Sequence, residues 1–383
     1  MKNIIPKTIY VCLLIGILSG ISFGASKPEP SLAVRVADAV LQRWPDPTAI
    51  NRNGWEYNSG IVLVGIEKVY QRTKNPKYLK YIKQWVDAYI DNQGHVSFKK
   101  DDNNLDHLQP GLLLLFLYEE TRQEKYKKAT VTIRREFDNQ PRNAVGGFWH
   151  KQRYPKEMWV DGIYMAEPFL VKYGYLFGDQ EYCNQEATFQ TILMASHAQD
   201  PKTGLLYHGW DQDKNAPWAD PATGLSNVFW SRGNGWYAVA LVEILEYLPK
   251  DHPQRQRLLE ILSKVAVGLK QTQSPATGLW YQVLDRRDRK DNWPETSGSA
   301  MFVYALKTAV DKGYIDTSFM AVARKGWEGV QTRVKPGMFP EISGAVQGMG
   351  VQNSYQDYVD QKQLVNSTHG LCGVMLAGSA MEF

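Results

Sequence analysis

The amino-acid sequence predicts an all-α protein whose fold is an (α/α)6 barrel, that is, six helical hairpins closed into a ring. Apolar residues recur at helical spacing in twelve segments, and strand-like alternation is nearly absent. A short glycine-centred motif returns at steps of 53, 57, 74 and 59 residues, between glycines 94, 147, 204, 278 and 337. Such a step accommodates two helices with their loops, and six steps fill residues 25–383.

The chain starts with a segment typical of a secretory signal peptide, which we place at residues 1–24. Two lysines precede a mostly apolar run over 9–21, and small residues follow that run. The run is short for a membrane span, and Cys12 lies inside it rather than at its end, which argues against a lipid anchor. We therefore expect one mature domain, residues 25–383, that is periplasmic or secreted and has no membrane contact after cleavage.

The predicted helices follow one another closely, and several end at explicit stop signals. These signals are Asn75-Pro76, Gly178-Asp179, Leu248-Pro249 and Lys312-Gly313. The twelve helical segments are 31–44, 60–73, 76–90, 109–121, 124–137, 161–177, 181–198, 235–248, 252–271, 297–312, 319–334 and 369–381.

The recurring motif bears on how the hairpins are arranged. Its clearest copies read Gly-Leu-Leu-Tyr-His at 204–208 and Gly-Leu-Trp-Tyr at 278–281. Repeated hairpins bury their apolar faces against neighbours, and they either stack into an open solenoid or close into a ring. A length suited to six repeats and the aromatic-rich loops favour the ring, and an open helical solenoid is the alternative. In a ring, loops at one end and the starts of the inner helices line a central pocket.

Composition and motifs argue against several functional classes. The formal charge is +4 and no basic block is present, so nucleic acid is not an expected partner. We expect neither a metal nor a cofactor, because no ligand-like spacing of His, Cys and Asp, no phosphate loop and no nucleophile elbow occur. Cys183 and Cys372 are interpreted as core thiols, although the compartment permits a disulfide. The 12 Trp and 21 Tyr suit the stacking of sugar rings as well as a helical core.

Five clusters of polar and aromatic residues fall beside the repeated turns or at the starts of predicted inner helices. They are residues 53–60, 103–107, 147–161, 206–211 and 229–236. A closed ring would bring these clusters together at its centre, so they contain the candidate site residues.

The most informative cluster contains Asp161, which is flanked by Trp159, Val160, Ile163 and Tyr164 at the start of a buried helix. A carboxyl group among apolar neighbours is desolvated, which raises its pKa and lets it hold a proton near neutral pH. The alternative is a helix N-cap, a position at which Asp is common.

The other candidates have structural alternatives too. Asp106 could be a helix N-cap, and His150 and His208 could be structural histidines. Arg232 could pair with a neighbouring carboxylate, and Trp236 could be a core residue. Their coincidence at equivalent places in the repeat favours a shared site. Two carboxylates among aromatic residues indicate glycoside hydrolysis, and the basic residues indicate a sugar that bears a carboxylate, such as a uronic acid.

Three motifs are similar to those of a known enzyme family. Residues 158–165 (MWVDGIYM), 147–151 (GFWHK) and 230–236 (WSRGNGW) closely resemble glycoside hydrolase family 105, the unsaturated rhamnogalacturonyl hydrolases. The unsaturated glucuronyl hydrolases of family 88 are a more distant match. The resemblance runs from about Trp55 to the C-terminus, and it implies an (α/α)6 barrel, in agreement with the spacing of the glycine motif.

This resemblance also implies a reaction and a role for each candidate. Enzymes of the family act on the 4,5-unsaturated uronic acid that a polysaccharide lyase leaves at a non-reducing end, and they hydrate its vinyl ether. Asp161 matches the general acid/base that protonates C4, and Asp106 matches a second acid that orients the sugar. The positions that match substrate-binding residues are Asn58, His150, Lys151, His208, Arg232 and Trp236.

Other functions remain as alternatives. The same hydration of unsaturated glucuronyl fragments from ulvan or glycosaminoglycans would keep Asp161 and differ in the rim loops 211–227 and 334–359. A non-catalytic sugar-binding toroid, or a helical scaffold for protein partners, would not need Asp161. We expect an unsaturated uronyl oligosaccharide as the partner and a monomeric protein.

Overall fold

The computed structural model describes residues 1, 30–99, 102–337 and 339–383. The predicted leader, residues 1–24, lies outside the described residues apart from Met1, so the signal peptide stays a prediction. Residues Ser31–Phe383 form one compact unit.

Thirteen helices make up most of the described chain. They are α1 (Leu32–Arg43), α2 (Tyr57–Thr73), α3 (Pro76–Asp87), α4 (Gly111–Thr121), α5 (Glu124–Asn139), α6 (Gly162–Phe177), α7 (Gln180–Ala198), α8 (Ser231–Tyr247), α9 (Arg255–Thr272), α10 (Thr296–Asp311), α11 (Phe319–Gln331), α12 (Tyr355–Val359) and α13 (Thr368–Met381). All twelve predicted helices are present, and the five-residue α12 is the additional one.

Six short strands pair in the loops as three antiparallel two-stranded sheets. The pairs are β1 (Glu157–Trp159) with β2 (Gly209–Asp211), β3 (Val334–Lys335) with β4 (Glu341–Ile342), and β5 (Ala345–Val346) with β6 (Gln363–Leu364). β1 and β2 matter most for function, because they hold the segments that precede Asp161 and contain His208.

Several helix boundaries differ from the sequence prediction. α2 and α8 begin at Tyr57 and Ser231 rather than at residues 60 and 235, because their first turns contain polar residues that do not extend the apolar pattern; in α8 this turn is buried and in α2 it is partly buried. The helix predicted over 319–334 ends at Gln331, and Val334 pairs with Ile342 in a strand instead. The earlier starts place site residues on helices instead of in loops.

Local signals explain where many helices begin and end. Before α3, the Asn75 side chain accepts a hydrogen bond from the backbone N–H of Lys77, and Pro76 occupies the first helical position. α6 ends at Gly178, whose φ of +83° is the left-handed conformation that glycine adopts without strain. At α10 the carboxylate of Glu295 accepts from two backbone N–H groups.

The inner helices form a closed ring. Each of α2, α4, α6, α8, α10 and α13 packs against the next, and α13 packs against α2. The outer helices α1, α3, α5, α7, α9 and α11 cover this ring, each against the inner helix of its hairpin. The inner helices are buried on nearly all sides, whereas the outer helices bury one face. This closure confirms the (α/α)6 barrel and excludes the open solenoid.

The recurring turns explain the glycine motif. Gly204 and Gly278 have φ values of +74° and +73°, and a β-carbon on either would lie 2.2 Å from a backbone carbonyl oxygen of the following outer helix. The corresponding left-handed residue in the second copy is Gly146, not Gly147. Gly337 has no left-handed backbone, so the fifth copy does not share this conformation.

The two cysteines of the predicted mature chain are both buried free thiols, which confirms their interpretation as core residues. Among the described residues, no helix combines the length and the apolar character needed to cross a membrane.

Candidate active site

Several residues of the candidate site lie at the N-terminal ends of the inner helices, whereas the predicted Asp106, His150, Lys151 and His208 lie in the segments between the α-helices. Tyr57 begins α2, Asp161 immediately precedes α6, and Arg232 and His369 lie in the first turns of α8 and α13. Side chains from different helices meet here. The rings of Tyr57 and His369 have centroids 5.7 Å apart, and Arg232 Nη1 lies 3.4 Å from the hydroxyl oxygen of Ser297 in α10. The barrel therefore gathers these helix starts around one central site.

Asp161 occupies the N-cap position of α6, but its side chain makes no capping hydrogen bond. Trp159 pairs with Gly209 between β1 and β2, and the backbone N–H of Val160 donates to the carbonyl oxygen of His208. These bonds direct the carboxylate towards the His208 ring. Asp161 Oδ1 lies 3.5 Å from His208 Nε2, and neither atom has a hydrogen-bond partner among the described residues. Buried polar atoms of this kind are suited to engage a ligand.

The pKa of Asp161 is lowered, contrary to the expectation from sequence. Burial raises the pKa of this carboxyl group, but the imidazoles of His208 and His150 lower it by more. The sequence-based expectation was wrong because it considered only the apolar residues that flank Asp161 along the chain. In this structure, Asp161 is therefore ionised at neutral pH.

His208 is fully buried, and each of its ring nitrogens faces a different group. Nδ1 lies 2.7 Å from the hydroxyl oxygen of Tyr358, while Nε2 faces Asp161. The ring packs against Trp230, with centroids 4.3 Å apart, and edge-on against Trp159. Burial lowers the pKa of His208 more than the charge of Asp161 raises it, so the ring is mainly neutral at pH 7.

Asp106 lies in a 3₁₀ turn, Leu105–His107, and the cap of that turn is Asn104, so the capping alternative for Asp106 is wrong. Lys151 donates a hydrogen bond to Asp106 Oδ2, and His150 Nε2 lies 3.5 Å from Oδ1. Burial raises the pKa of Asp106, but Lys151 and His150 hold it well below its usual range. Asp106 is thus an ionised partner of Lys151 rather than a proton donor.

The position of His150 is fixed by stacking on Trp159 and by the close approach of Gly162. Its imidazole stacks on the indole of Trp159, with centroids 4.3 Å apart and planes 17° apart. A β-carbon at Gly162 would lie 2.7 Å from His150 Nδ1, so the close approach of α6 to this imidazole requires glycine. Nδ1 is buried without a hydrogen-bond partner among the described side chains and backbone groups.

Arg232 is almost completely buried, and its partners are not carboxylates. Nη1 donates to the carbonyl oxygen of Val346 and Nη2 to that of Gln347, each over 2.7 Å. The expected alternative, a pair with a neighbouring acid, is therefore wrong. A guanidinium has five N–H groups, so after these bonds and the contact with Ser297 some remain to bind an anion.

Two predicted substrate-binding residues have other partners in the ligand-free protein. Trp236 is 1% exposed and stacks on Tyr164 with centroids 4.3 Å apart, which is the packing of a core residue. The amide of Asn58 donates to the carboxylate of Glu56, and its oxygen accepts from the hydroxyl of Thr368. Asn58 thus connects the starts of α2 and α13, and its contact with substrate stays a prediction.

Three residues join the site that sequence reasoning did not select. The charges of Asp106, Arg232 and Asp161 all act on the partly buried phenol of Tyr57, whose pKa is raised chiefly by desolvation. Tyr57 and His369 begin inner helices, as the selected residues do, so the repeat pattern contained a signal for both. No sequence pattern connects Tyr358 with His208, 150 residues away.

Among the described residues, no group of three or more His, Cys, Asp and Glu side chains could hold a metal ion. A cleft of about 670 Å³ lies beside Asp106 and is lined in part by Trp55, Phe98, Lys151 and Arg153. A larger groove, about 1070 Å³, runs along α7 on the outside of the barrel and contains none of the predicted site residues. The cleft thus shares Lys151 with the predicted site residues, whereas the larger groove shares none of them.

Comparison with known proteins agrees with this arrangement. The sequence model of Glycosyl Hydrolase Family 88 matches residues 32–383. A solved glycoside hydrolase from family 105 of C. acetobutylicum is 36% identical, with a TM-score of 0.86 over 92% of this chain and 99% of that one. This breadth confirms the resemblance that the three motifs indicated.

Two curated relatives have named activities. The unsaturated rhamnogalacturonyl hydrolase YesR of Bacillus subtilis is 25% identical over 281 residues, 70% of this chain and 75% of the relative. An unsaturated 3S-rhamnoglycuronyl hydrolase of Formosa agariphila is 22% identical over 353 residues, 86% of this chain and 87% of the relative. The chain therefore belongs to Glycosyl Hydrolase Family 88 and is a glycoside hydrolase of the unsaturated rhamnogalacturonyl and glucuronyl hydrolase group.

Proposed function

We propose that this enzyme removes a 4,5-unsaturated galacturonyl residue from the rhamnose to which it is linked, at the non-reducing end of pectin fragments made by a lyase. The observation that carries this proposal is the buried, unpartnered Oδ1 of Asp161, 3.5 Å from His208 Nε2. Protonated Asp161 would transfer its proton to C4 of the double bond, and water would add its oxygen at C5 while its released proton returns to the Asp161 carboxylate. The resulting hemiketal opens, and the neighbouring sugar leaves with its hydroxyl group.

Asp161 has to gain a proton before it can act as the acid. The imidazoles of His208 and His150 lower its pKa. A bound uronate adds a negative charge and excludes water, and both effects raise the pKa of a nearby carboxyl group. Proton uptake is therefore coupled to substrate binding in this proposal.

The cations at the site account for recognition of the uronate. Lys151 stays charged, because Asp106 raises its pKa more than burial lowers it. Arg232 keeps N–H groups that its carbonyl partners do not use. A charge-assisted hydrogen bond from either residue would be stronger than one between neutral groups. The neutral rhamnose and the rest of the chain would extend into the cleft beside Lys151.

The test follows the ultraviolet absorbance of the conjugated double bond of unsaturated galacturonyl-rhamnose. Wild-type protein should consume the double bond, and Asp161→Asn should lose at least about 100-fold in kcat, the usual contribution of a positioned proton donor. Asp138→Asn is the matched control, because that acid is exposed on the outer helix α5. Equal rates for Asp161→Asn and wild type would contradict the assigned role.

Unsaturated glucuronyl fragments such as those of ulvan are the second candidate substrate. The similarity to the Formosa agariphila relative covers 86% of this chain, which is more than the 70% covered with YesR. Arg153 beside Lys151 in the cleft offers a second cation for a sulfated leaving sugar. Parallel assays decide between the two: a higher kcat/KM on 3-sulfated unsaturated glucuronyl-rhamnose than on unsaturated galacturonyl-rhamnose would favour this alternative.

We also infer that the protein acts outside the cytoplasm, on the basis of the signal-like residues 1–24. That the protein is a monomer is a separate proposal. Intact-mass analysis of protein recovered from the periplasm and from the medium tests the leader. A mass that starts near Ala25 is expected, and a mass that includes Met1 would contradict it. Light scattering tests the monomer.

A further inference from the structure

The hydroxyl group of Tyr358 lies on the opposite side of His208 from Asp161. Its oxygen is 2.7 Å from His208 Nδ1, and Tyr358 is completely buried in the short helix α12. Tyr358, His208 and Asp161 therefore form a chain of three polar groups, of which only the carboxylate has a role in the reaction proposed above.

The hydrogen bonds of Tyr358 define which of these three polar groups donate and which accept. The backbone N–H of Gln352 donates to the phenol oxygen over 3.3 Å. The phenol hydrogen still needs an acceptor, and His208 Nδ1 is within hydrogen-bond distance. A neutral imidazole that accepts at Nδ1 carries its hydrogen on Nε2, the atom that faces Asp161.

The phenol is suited to remain a donor over the working pH range. Burial raises the pKa of Tyr358, and the charge of Asp161 raises it further. The hydroxyl group therefore keeps its hydrogen wherever His208 titrates. The titratable and charged groups that act on His208 are Asp161 before α6, His150 in the preceding loop, Arg232 in α8 and Tyr358 in α12.

The backbone that carries this hydroxyl group is also anchored. The Gln282 amide donates to the carbonyl oxygen of Tyr358, and the indole N–H of Trp293 donates to the next carbonyl oxygen. Gln282 in turn accepts from Trp230, whose ring packs on His208. Because the same residues fix α12 and the imidazole, the distance between hydroxyl and Nδ1 is well determined.

We propose that Tyr358 is a positioning residue that holds His208 in the tautomer with Nε2–H directed at Asp161. This inference rests on the proposed function, since it acts through the proposed catalytic acid. Without the hydroxyl group, the imidazole is free to exchange tautomers, and the ionised Asp161 no longer always faces an N–H group across the 3.5 Å to Nε2. Loss of that donor raises the pKa of Asp161 and removes the constraint on where its proton is held.

A kinetic experiment compares Tyr358→Phe with wild type on the substrate that wild type consumes. We expect kcat to fall about 10-fold or more, as for a displaced proton donor, while KM changes less than about two-fold. The limb of the kcat/KM profile that falls with increasing pH should move to higher pH. Tyr355→Phe is the matched control, because it removes a hydroxyl bonded to Asp291 at the surface of the same helix. An unchanged kcat and pH profile in Tyr358→Phe would overturn the proposal.

A spectroscopic experiment tests the tautomer without any turnover. Protein labelled with ¹⁵N at histidine is compared with Tyr358→Phe, and the His208 signals are identified by their absence in His208→Gln. Wild type should show an unprotonated Nδ1 and a protonated Nε2, and Tyr358→Phe should show a mixture of tautomers. A protonated Nδ1 in neutral wild type, or the same tautomer in both proteins, would overturn the proposal. The wild-type spectrum alone reports the His208 tautomer and requires neither a substrate nor a folded Tyr358→Phe variant. Failure of the proposed function is therefore distinguished from failure of the positioning role.

Discussion

Arg232 Nη1 lies 2.7 Å from the carbonyl oxygen of Val346, so the first turn of α8 is bonded directly to β5. The segment that follows β5 then passes the site. A β-carbon at Gly348 would lie 3.6 Å from the hydroxyl oxygen of Tyr57, and one at Gly350 would meet the Trp159 ring. One guanidinium thus holds in place a segment that borders several site residues.

Arg232→Lys should therefore destabilise the protein as well as weaken substrate binding. A lysine ammonium cannot reproduce the planar fork that reaches two successive carbonyl oxygens. We expect the free energy of unfolding to fall by about 1.5–3 kcal/mol, the range for hydrogen bonds to a charged group. Urea denaturation measures this change, with Arg289→Lys as a control for an exposed pair. Equal stability of Arg232→Lys and wild type would show that the carbonyl bonds do not support the fold.

Gly162→Ala should impair activity through His150. The added methyl group would lie 2.7 Å from Nδ1 of a ring that is stacked on Trp159 and cannot move freely. We expect kcat/KM to fall by about 10-fold or more, since a displacement near 1 Å at a site has effects of this size. At Gly337 the nearest atom to an added methyl is 3.6 Å away, so Gly337→Ala should behave as wild type. Comparable activity of both variants would contradict the steric argument.

The ionised Asp106 should make stability depend on pH in acid. Its pKa is lower in the folded than in the unfolded protein, so its contribution is complete above the unfolded pKa and is lost as pH falls towards the folded pKa. Below about pH 5, wild type should lose unfolding free energy more steeply than Asp106→Asn, by at most about 1.4 kcal/mol per pH unit. Urea titrations between pH 3 and 7 measure both slopes, with Asp138→Asn as an exposed control. Parallel curves for Asp106→Asn and wild type would refute this.

The turn at Gly204 allows backbone strain to be separated from steric contact. Gly204→Ala and Gly178→Ala both force alanine into left-handed backbone, which costs about 1–2 kcal/mol. Only at Gly204 would the methyl group also lie 2.2 Å from the carbonyl oxygen of Lys264, whereas Gly178 has no atom within 4 Å. We expect Gly204→Ala to be less stable than Gly178→Ala by about 1–3 kcal/mol, as for overpacking. Thermal and urea unfolding of both variants give the comparison; equal losses would mean that the turn relaxes.

A mostly buried ion pair further along α2 should matter for stability but not for the reaction. Lys68 Nζ lies 2.8 Å from Glu243 Oε1, and the Tyr304 hydroxyl donates to the same carboxylate. Lys68 is about 16 Å along α2 from Tyr57 at the helical rise per residue. Lys68→Met leaves the mostly buried Glu243 carboxylate without its ammonium partner and should cost up to about 3 kcal/mol.

Adding Glu243→Gln to Lys68→Met removes that charge and still leaves an acceptor for Tyr304, so most of the loss should be recovered. KM should stay unchanged in both proteins. An altered KM would show that this pair is coupled to the site.

The helices and their order could be predicted from the sequence because helical periodicity is local. Apolar residues three and four positions apart specify a buried face wherever the chain lies, so α1–α11 and α13 were all anticipated. The first turns of α2 and α8 were missed, because Ser231, Arg232 and Asn234 are polar but buried by contacts that the periodicity cannot show.

The site shows the same division between local and long-range information. Sequence motifs and repeat positions determined which residues gather at the centre of the ring, including Asp161, Asp106 and His208. Tertiary structure alone decided the ionisation of Asp161, because its pKa depends on imidazoles that approach it through space. It also decided the orientation of His208, because the Tyr358 hydroxyl that holds it comes from 150 residues further along the chain. The local sequence pattern specifies the helices and which residues form the site. The ionisation and hydrogen bonding of those residues depend on distances that exist only once the ring of helices has closed.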